Sequence, residues 1–389
     1  MEMHGLHVVV AGGAIGGSAA ALLLARAGAR VTLVEKVAHP AAVGAGIGLA
    51  DNGLAVLESI GLLPALEAVA CPVEGGRVVD GEGRLLLAPD QAPRTWMVRR
   101  SALQALLLDA VSGERGITGH FGASVVDATP GGAVTLETGG ARETLHADLV
   151  VGADGVHSRV RAHGDFGARV APSGITYVRA IVPGPPLRAE EAWTAAGIFG
   201  SFAVPGGTYV YLSAGTRASR AALAAGDIDG FRHAWSEAYP AAAGLLMRLK
   251  AWDDLVVSPV MRVTCRRFVD GRLVLVGDAA HAMAPNLGQG ANSALVDAAV
   301  LLEEIRRARG MDAALAAYDR RRRPAVQAVA RLAARLGRVA ELTHPAARWL
   351  RDRLLPPLAA RLANPEMAKV VLQEAPKALR AIGGGGGSE

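Results

Sequence analysis

Cysteine is almost absent from this chain: Cys71 and Cys265 stand far apart and belong to no partner motif. That argues against a disulfide framework, a C-x-x-C redox pair and a cysteine-based metal site, and it predicts two ordinary buried thiols. Aromatic side chains make up only 4% of the residues. The densest basic run, Arg320-Arg321-Arg322-Arg323 before Pro324, has no aromatic residues interleaved. It therefore reads as a solvated helix end, not a nucleic-acid surface. An anionic substrate or cofactor accounts equally well for the formal net charge of +5. No apolar run approaches the ~20 residues that cross a bilayer. From Met1 the chain enters a strand-like run with no secretory signal before it, so no integral membrane segment is expected and the cytoplasm is the expected compartment. No metal-ligand cluster, nucleophile elbow or Cys/His pairing stands out, and no metal site is expected.

What is present is a 389-residue chain, 51% hydrophobic, long enough for two interlocked domains. It opens as strand, glycine loop, helix, strand. Leu6 to Ala11 is a continuous β-prone run, as a parallel strand buried on both faces requires. Gly12 to Gly17 makes the turn, Ser18 to Ala27 is small and helix-forming, and Gly28 stops the helix. Val31 to Val34 is the second strand, ending at Glu35. In a dinucleotide fingerprint the first glycine makes the tight turn, the second admits the pyrophosphate and the third lets helix pack on strand. Gly12, Ala14 and Gly17 occupy those places, with a methyl group at the middle one. The helix starting near Ile15 would aim its N–H groups at the anion. Glu35, with Lys36 beside it, lies where an acid accepts bonds from ribose hydroxyls. This loop alone does not distinguish NAD from FAD.

Further along, Asp51 is placed to cap a helix running through Ile60. Arg77–Val79 and Arg84–Leu87 flank a turn, a helix follows from Ser101 to Val111, and Leu149–Val151 is a buried strand. Residues 171–260 change texture to β-rich sequence and read as an insertion. Leu273–Val276 returns to the buried-strand pattern, and from Ala291 the chain is helical. The glycine run Gly383–Ser388 is read as a flexible tail.

Two later segments carry more specific information. Ala147-Asp148-Leu149-Val150-Val151-Gly152-Ala153-Asp154-Gly155 and its continuation to Arg161 resemble the D-G motif of the flavoprotein aromatic hydroxylases. Gly271 to His281, containing Gly277-Asp278, resembles the same family's G-D motif. Pro285-Asn286-Leu287-Gly288-Gln289-Gly290-Ala291-Asn292 resembles its flavin-contacting loop. Arg100-Ser101-Ala102-Leu103 with Leu107 is similar to its R-x-x-L-x-x-x-L element, and Tyr318 to Pro324 to the Tyr/Arg/Pro signature after its long C-terminal helix. These matches are collinear over roughly residues 6 to 324.

The resemblance implies an α/β fold. A FAD-binding Rossmann-like domain of the glutathione-reductase type would carry an inserted, mostly antiparallel β-sheet substrate domain and C-terminal helices. The expected division is 1–70, 92–170 and 261–345 for the FAD domain, 71–91 and 171–260 for the substrate domain, 346–382 for C-terminal helices and 383–389 for the tail. The FAD site would comprise Gly12, Ala14, Ile15, Gly17, Glu35, Lys36, Arg100, Asp154, Asp278, Pro285, Gly288, Gly290, Ala291 and Asn292. Asp278 would hold the ribityl chain, Arg100 the pyrophosphate, and Gly288 to Asn292, just before a helix, the pyrimidine edge of the flavin. Asp154 would also support the nicotinamide site, and His281 is expected to hold its loop.

The implied activity is an FAD-dependent monooxygenase that uses NAD(P)H and O₂ to hydroxylate a small aromatic or related substrate through a flavin C4a-hydroperoxide. With one fingerprint present, NADH or NADPH is expected to bind transiently against the FAD domain. Candidate substrate-contacting residues are Arg179, Tyr177 and Tyr211, with Tyr209 on the same face as Tyr211 and with Phe199 and Phe202 as apolar walls. A flavin-dependent epoxidase or natural-product tailoring oxygenase shares every cofactor motif and stays open, as does a non-catalytic flavin-binding module. The expected assembly is a monomer or homodimer.

Overall fold

The computed structural model describes residues 1–38, 45–87, 94–184, 189–362 and 365–383. Residues 88–91, at the end of the expected 71–91 segment, lie outside them, as does the expected flexible tail beyond Gly383. Among the described residues no helix is long and apolar enough to cross a membrane.

The opening strand, His7–Ala11, is buried along its whole length. It pairs in parallel with Arg30–Glu35 on one side and Leu149–Gly152 on the other. The six-stranded sheet runs Val269–Asp270, Leu273–Leu275, Leu149–Gly152, His7–Ala11, Arg30–Glu35, Ile117–Phe121, parallel except at its first pair. Helix Ile15–Arg26 is small-residue-rich because it is enclosed: a Cβ on Gly16 would lie 2.9 Å from that of Ala294 on helix Gly290–Arg307. The third fingerprint glycine is tighter still, since a Cβ on Gly17 would lie 1.8 Å from the Gly12 carbonyl oxygen.

A seven-stranded sheet forms the second layer, in the order Val256–Thr264, Arg169–Val182, Gly207–Ser213, Gly197–Val204, Glu190–Thr194, Arg77–Asp80, Leu85–Leu87. Its pairs are antiparallel apart from Glu190–Thr194 with Arg77–Asp80. The two-residue side-chain period divides it into unlike faces. One face packs Val210, Leu212 and Phe199 against Phe231 and Trp235, the latter two on helix Ile228–Ala238. Each of these large side chains gains about 1.5–3 kcal/mol from burial. Phe199 therefore corrects the expectation that it walls the substrate site: it sits 6.3 Å from Trp235 and 5.5 Å from Tyr239, on the far side of the sheet.

The basic run is a second correction. Pro324 lies inside a 30-residue helix, Met311–Ala340, and the arginines occupy its middle. Tyr318, Arg322, Val326 and Val329 form its buried stripe, and that packing outweighs the ~3 kcal/mol penalty of an interior proline. Arg321 pairs with Glu303, Glu304 and Glu374, and Arg323 with Asp319. Two smaller expectations also shift. Asp51 does not cap its helix, where Ala50 stands at the N-cap, but pairs with Arg380 at 2.9 Å. Cys265 is buried, whereas Cys71 is only half-buried.

Arg322 is wholly buried against Asp297, 2.8 Å from Nε to Oδ1. The other Asp297 oxygen receives the Gly277 N–H at 2.9 Å and contacts His281 Nε2 at 2.5 Å. Burial alone would raise the carboxyl's pKa; His281, Arg322 and the Gly277 N–H outweigh it and hold it at about 2. Because the folded value lies below the ordinary one, this carboxylate's contribution is present above about pH 4 and fades as pH falls towards 2, on the order of 2 kcal/mol. Asp297→Ala leaves Arg322 buried and unpaired, so chemical denaturation should show a loss of about 3–5 kcal/mol. A loss under about 1 kcal/mol would show that the pairing does not hold the fold.

Candidate active site

The glycine loop is shaped from beneath. Ser18 Oγ and Gln104 Nε2 both donate to the Gly13 carbonyl, at 2.8 and 2.7 Å. With that carbonyl engaged below, the N-terminus of helix Ile15–Arg26 has neither a side-chain cap on Ala14 nor an acidic residue in its first turn. Its leading N–H groups are left for an anion. Gly12 has φ +100°, and a Cβ there would lie 2.4 Å from the Ala153 carbonyl oxygen, so strand-to-strand contact dictates glycine. Glu35 ends the second strand as expected. Its two oxygens receive Gly13 N–H at 2.8 Å and Val37 N–H at 3.0 Å, which fixes the carboxylate beside the loop. Lys36 is exposed. Arg100 heads its helix with an exposed side chain, while Leu103 and Leu107 of the same motif are core.

The D-G and G-D motifs end adjacent parallel strands and so reach the same edge of the sheet. Asp154 Oδ2 receives Arg159 and Val160 N–H groups at 2.6 and 3.2 Å. Its Oδ1 is buried without a partner, and burial raises the carboxyl's pKa. An orphaned buried acceptor is costly unless a ligand hydroxyl or N–H meets it. Asp278 is exposed at the start of a short helix, directly after Gly277 at φ +59°.

Pro285 opens a single 3₁₀ turn that ends on Gly288 at φ +62°. The following helix begins at Gly290, so Gly290, Ala291 and Asn292 form its first turn instead of preceding it. That helix start also lacks a side-chain cap and an early acid. Asn292 is turned inward: its amide receives Ala50 N–H at 3.0 Å and donates to Gly48 and Gly288 carbonyls at 3.1 and 2.8 Å. The Asn292 side chain is thereby committed inward, and the uncapped N–H groups of this turn are left for a ligand. Two uncapped helix starts, the Glu35 carboxylate beside the glycine loop and an unpaired buried Asp154 oxygen make a donor and acceptor set that fits FAD.

The other face of the seven-stranded sheet meets this assembly. The ring of Tyr209 lies against Gly46, where a Cβ would come within 2.4 Å, and Asn286 of the flavin loop donates to Tyr177 Oη at 3.3 Å. Register puts Arg179, Tyr211, Gly200 and Glu191 in one row across four strands. Gly200 is the gap in that row: a Cβ there would lie 2.1 Å from Tyr211 Cζ. Its absence lets the Tyr211 ring cross the strand and donate to Glu191 at 2.5 Å, while Trp193 Nε1 donates to the other Glu191 oxygen at 2.6 Å. Phe202 stacks on Tyr211 at 6.2 Å, Tyr177 meets it edge-on at 6.1 Å, and Tyr209 lies 5.7 Å away. Arg179 stands 5.5 Å from the Tyr177 ring.

Burial raises Glu191 and Glu341 above the usual carboxylate range. Burial first, and then these carboxylates, push Tyr177 and Tyr211 well above theirs. The phenols thus stay protonated at neutral pH and act as hydrogen-bond donors. Sequence reasoning named Tyr177, Arg179, Tyr209, Tyr211 and Phe202 as candidates, with strand alternation pairing Tyr209 and Tyr211. It missed Gln104, Glu191, Asp297 and Glu341, whose partners are distant in the chain, with only the doublet Glu190-Glu191 in a β-rich stretch marking one of them; Asn286 stood inside the loop motif, without its contact to Tyr177.

A parallel nucleotide-binding sheet joined to an antiparallel sheet with an aromatic inner face defines a flavin-dependent oxygenase. The family model described as "FAD binding domain" matches residues 5–333, and the chain belongs to that family. It is 30% identical to the 2-heptyl-3-hydroxy-4(1H)-quinolone synthase of Pseudomonas aeruginosa, over 90% of this chain and 93% of that protein. It is 31% identical to the kynurenine 3-monooxygenase of Salinispora arenicola, over 92% and 87%. Among solved structures it resembles a mutant of 2-methyl-3-hydroxypyridine-5-carboxylic acid oxygenase, with 28% identity, a TM-score of 0.77, and coverage of 88% and 95%. FAD is the cofactor, and the chain is an FAD-dependent monooxygenase.

Gly12→Ala tests the cradle, because the added methyl meets both an unfavourable φ and the Ala153 carbonyl. FAD retained per mole of purified protein, read from visible absorbance, should fall at least about tenfold. Full occupancy would contradict the close approach described.

Proposed function

We propose that this monooxygenase takes electrons from NADH or NADPH and uses O₂ to hydroxylate a small, planar aromatic or N-heteroaromatic substrate carrying an anionic or strongly accepting group. The observation behind this reading is the inner sheet face, where the Arg179 guanidinium stands among Tyr177, Tyr209, Tyr211 and Phe202 beside Asn286. Rings of this kind take a flat apolar partner, and a guanidinium among them orients its polar end. The relatives named for quinolone, kynurenine and hydroxypyridine-carboxylate chemistry support the same substrate shape.

The redox chemistry belongs to FAD, which passes electrons from the reductant to O₂. The chain's own residues position and seclude. Arg179 holds the acceptor group, and the ring faces of Tyr177, Tyr209, Tyr211 and Phe202 take the flat substrate and exclude water. Glu191 keeps Tyr211 in place through their 2.5 Å contact. The FAD-binding positions proposed from sequence stay as proposed, with Asn292 acting by holding the loop.

The test is anaerobic flavin reduction by NADH and NADPH, with anthranilate, kynurenine, a 4-quinolone and a hydroxypyridine carboxylate as candidate stimulants. At least one should accelerate bleaching. Arg179→Ala should raise its half-saturating concentration about tenfold or more, without loss of FAD. A yellow protein indifferent to every aromatic compound, or an Arg179→Ala variant that responds unchanged, contradicts the reading.

A further inference from the structure

Helix Pro365–Leu372 ends on Gln373, whose backbone is left-handed at φ +65°. Among the described residues no other residue bearing a side chain takes that conformation. A Cβ is strained there, and glycine would close the same helix end freely. The Gln373 N–H donates to the Lys369 carbonyl at 2.8 Å, the ordinary bond of such an end. The chain is clamped on both sides of the strained residue. The Leu372 carbonyl accepts from Asn52 Nδ2 at 2.9 Å, Glu374 grips Arg321 through two bonds of 2.8 and 2.9 Å, and Leu379 is buried in the main core. Strain that the surroundings over-determine in this way points to a task for the side chain.

The Gln373 amide works where the flavin loop turns into helix Gly290–Arg307. Its Nε2 donates to Ser293 Oγ at 2.7 Å and reaches Gln289 Oε1 at 3.5 Å, while its Oε1 accepts from Arg322 Nη2 at 2.7 Å. Gln289 is the N-cap of that helix and Ser293 lies one turn further on, so a single amide braces both ends of the first turn. From the other side, Asn292 grips the strand Gly46–Ala50 through the Ala50 N–H and the Gly48 carbonyl. Gln289, Asn292, Ser293 and Arg322 are all buried. The turn cannot roll without breaking hydrogen bonds where no water replaces them. Its uncapped N–H groups are thereby fixed in direction.

We propose that Gln373 is a positioning residue for the flavin: its amide holds the first turn of helix Gly290–Arg307 so that the free N–H groups of that turn stabilise the negative charge of reduced FAD. Gln373 acts through Ser293 and Gln289, not by contact with the cofactor. The inference rests on the proposed placement of the flavin's pyrimidine edge against this turn. A helix start favours negative charge, and the effect falls off within the first turn. A change in the direction of those N–H groups therefore registers on a group that gains charge when reduced. A segment at the far end of the chain tunes a cofactor that it does not reach, and this accounts for a glutamine where glycine would be unstrained.

The experiment measures the two-electron midpoint potential of the flavin in the FAD-loaded enzyme, by anaerobic titration against a reference dye. Gln373→Ala and Gln373→Gly both remove the amide, whereas only glycine also relieves the backbone. Both variants should bind reduced FAD about tenfold less tightly relative to oxidised FAD, which is a potential about 30 mV more negative. Gln373→Gly should melt at a higher temperature than Gln373→Ala. An unchanged potential in both variants overturns the proposal. So does a shift confined to Gln373→Ala, which would assign the effect to backbone strain. Where these variants lose flavin, Ser293→Ala keeps Gln373 on Arg322 and should move the potential in the same direction; no shift there overturns the proposal as well. Gly290→Pro tests the underlying flavin placement, because proline is tolerated in a first turn and removes one free N–H. A Cβ at Gly290 meets nothing within 4 Å. A potential moved by Gly290→Pro and not by the Gln373 variants defeats the role of Gln373 alone. A potential indifferent to Gly290→Pro overturns the flavin placement, and the inference with it.

Discussion

One buried carboxylate, Asp297, joins three segments that the chain keeps far apart. It receives the backbone N–H of Gly277, contacts His281 in the same motif, and neutralises Arg322 on the long helix. Arg322 continues the connection to Gln373 at 2.7 Å, and Gln373 in turn donates to Ser293 Oγ at 2.7 Å. Asn52 completes the enclosure, donating to Gln289 Oε1 and to the Leu372 carbonyl at 3.1 and 2.9 Å. Both flavin-directed loops therefore hang on one polar frame inside an apolar core. Breaking a buried pair leaves the surviving charge unsolvated, so such a frame has two states, complete or failed, with little between.

The division of labour between the two sheets follows from side-chain period. On the parallel sheet, both faces are buried and the chemistry collects where the strands end. On the antiparallel sheet, one face is sealed by helices through Phe231 and Trp235, and the other turns toward the FAD domain, where Tyr177 packs with Leu336 and Ala340 of the long helix and Tyr209 meets Gly46. Gly200 shows how one missing side chain sets the geometry of that second face: the gap admits Tyr211, and Tyr211 then reaches Glu191. Burial first, and then the neighbouring carboxylates, keep the phenols protonated, and the Tyr211 O–H is committed to Glu191, which fixes the ring faces of this wall.

The parts legible in the sequence are those where local geometry restricts residue type. Gly12 and Gly17 are demanded by contacts under 3 Å, and strand alternation put Tyr209 and Tyr211 on one face. The parts that were not legible depend on pairing at a distance. Four successive arginines read as a solvated end because nothing near them reveals that Asp297 awaits Arg322 25 residues away. Pro324 read as a terminus because the buried stripe that overrides it emerges only once the helix is packed. Phe199 was assigned to the wrong face because Phe199 and Phe202, three residues apart on one strand, cannot share one.

The central claim is that this chain inserts one atom of O₂ into an aromatic substrate. The direct measurement is mass spectrometry of the product formed under ¹⁸O₂, using whichever aromatic compound most accelerates flavin reduction. The account predicts a product carrying one ¹⁸O atom from dioxygen and none from labelled water. A product labelled only from water, or unmodified substrate with all reducing equivalents recovered as hydrogen peroxide, would contradict it.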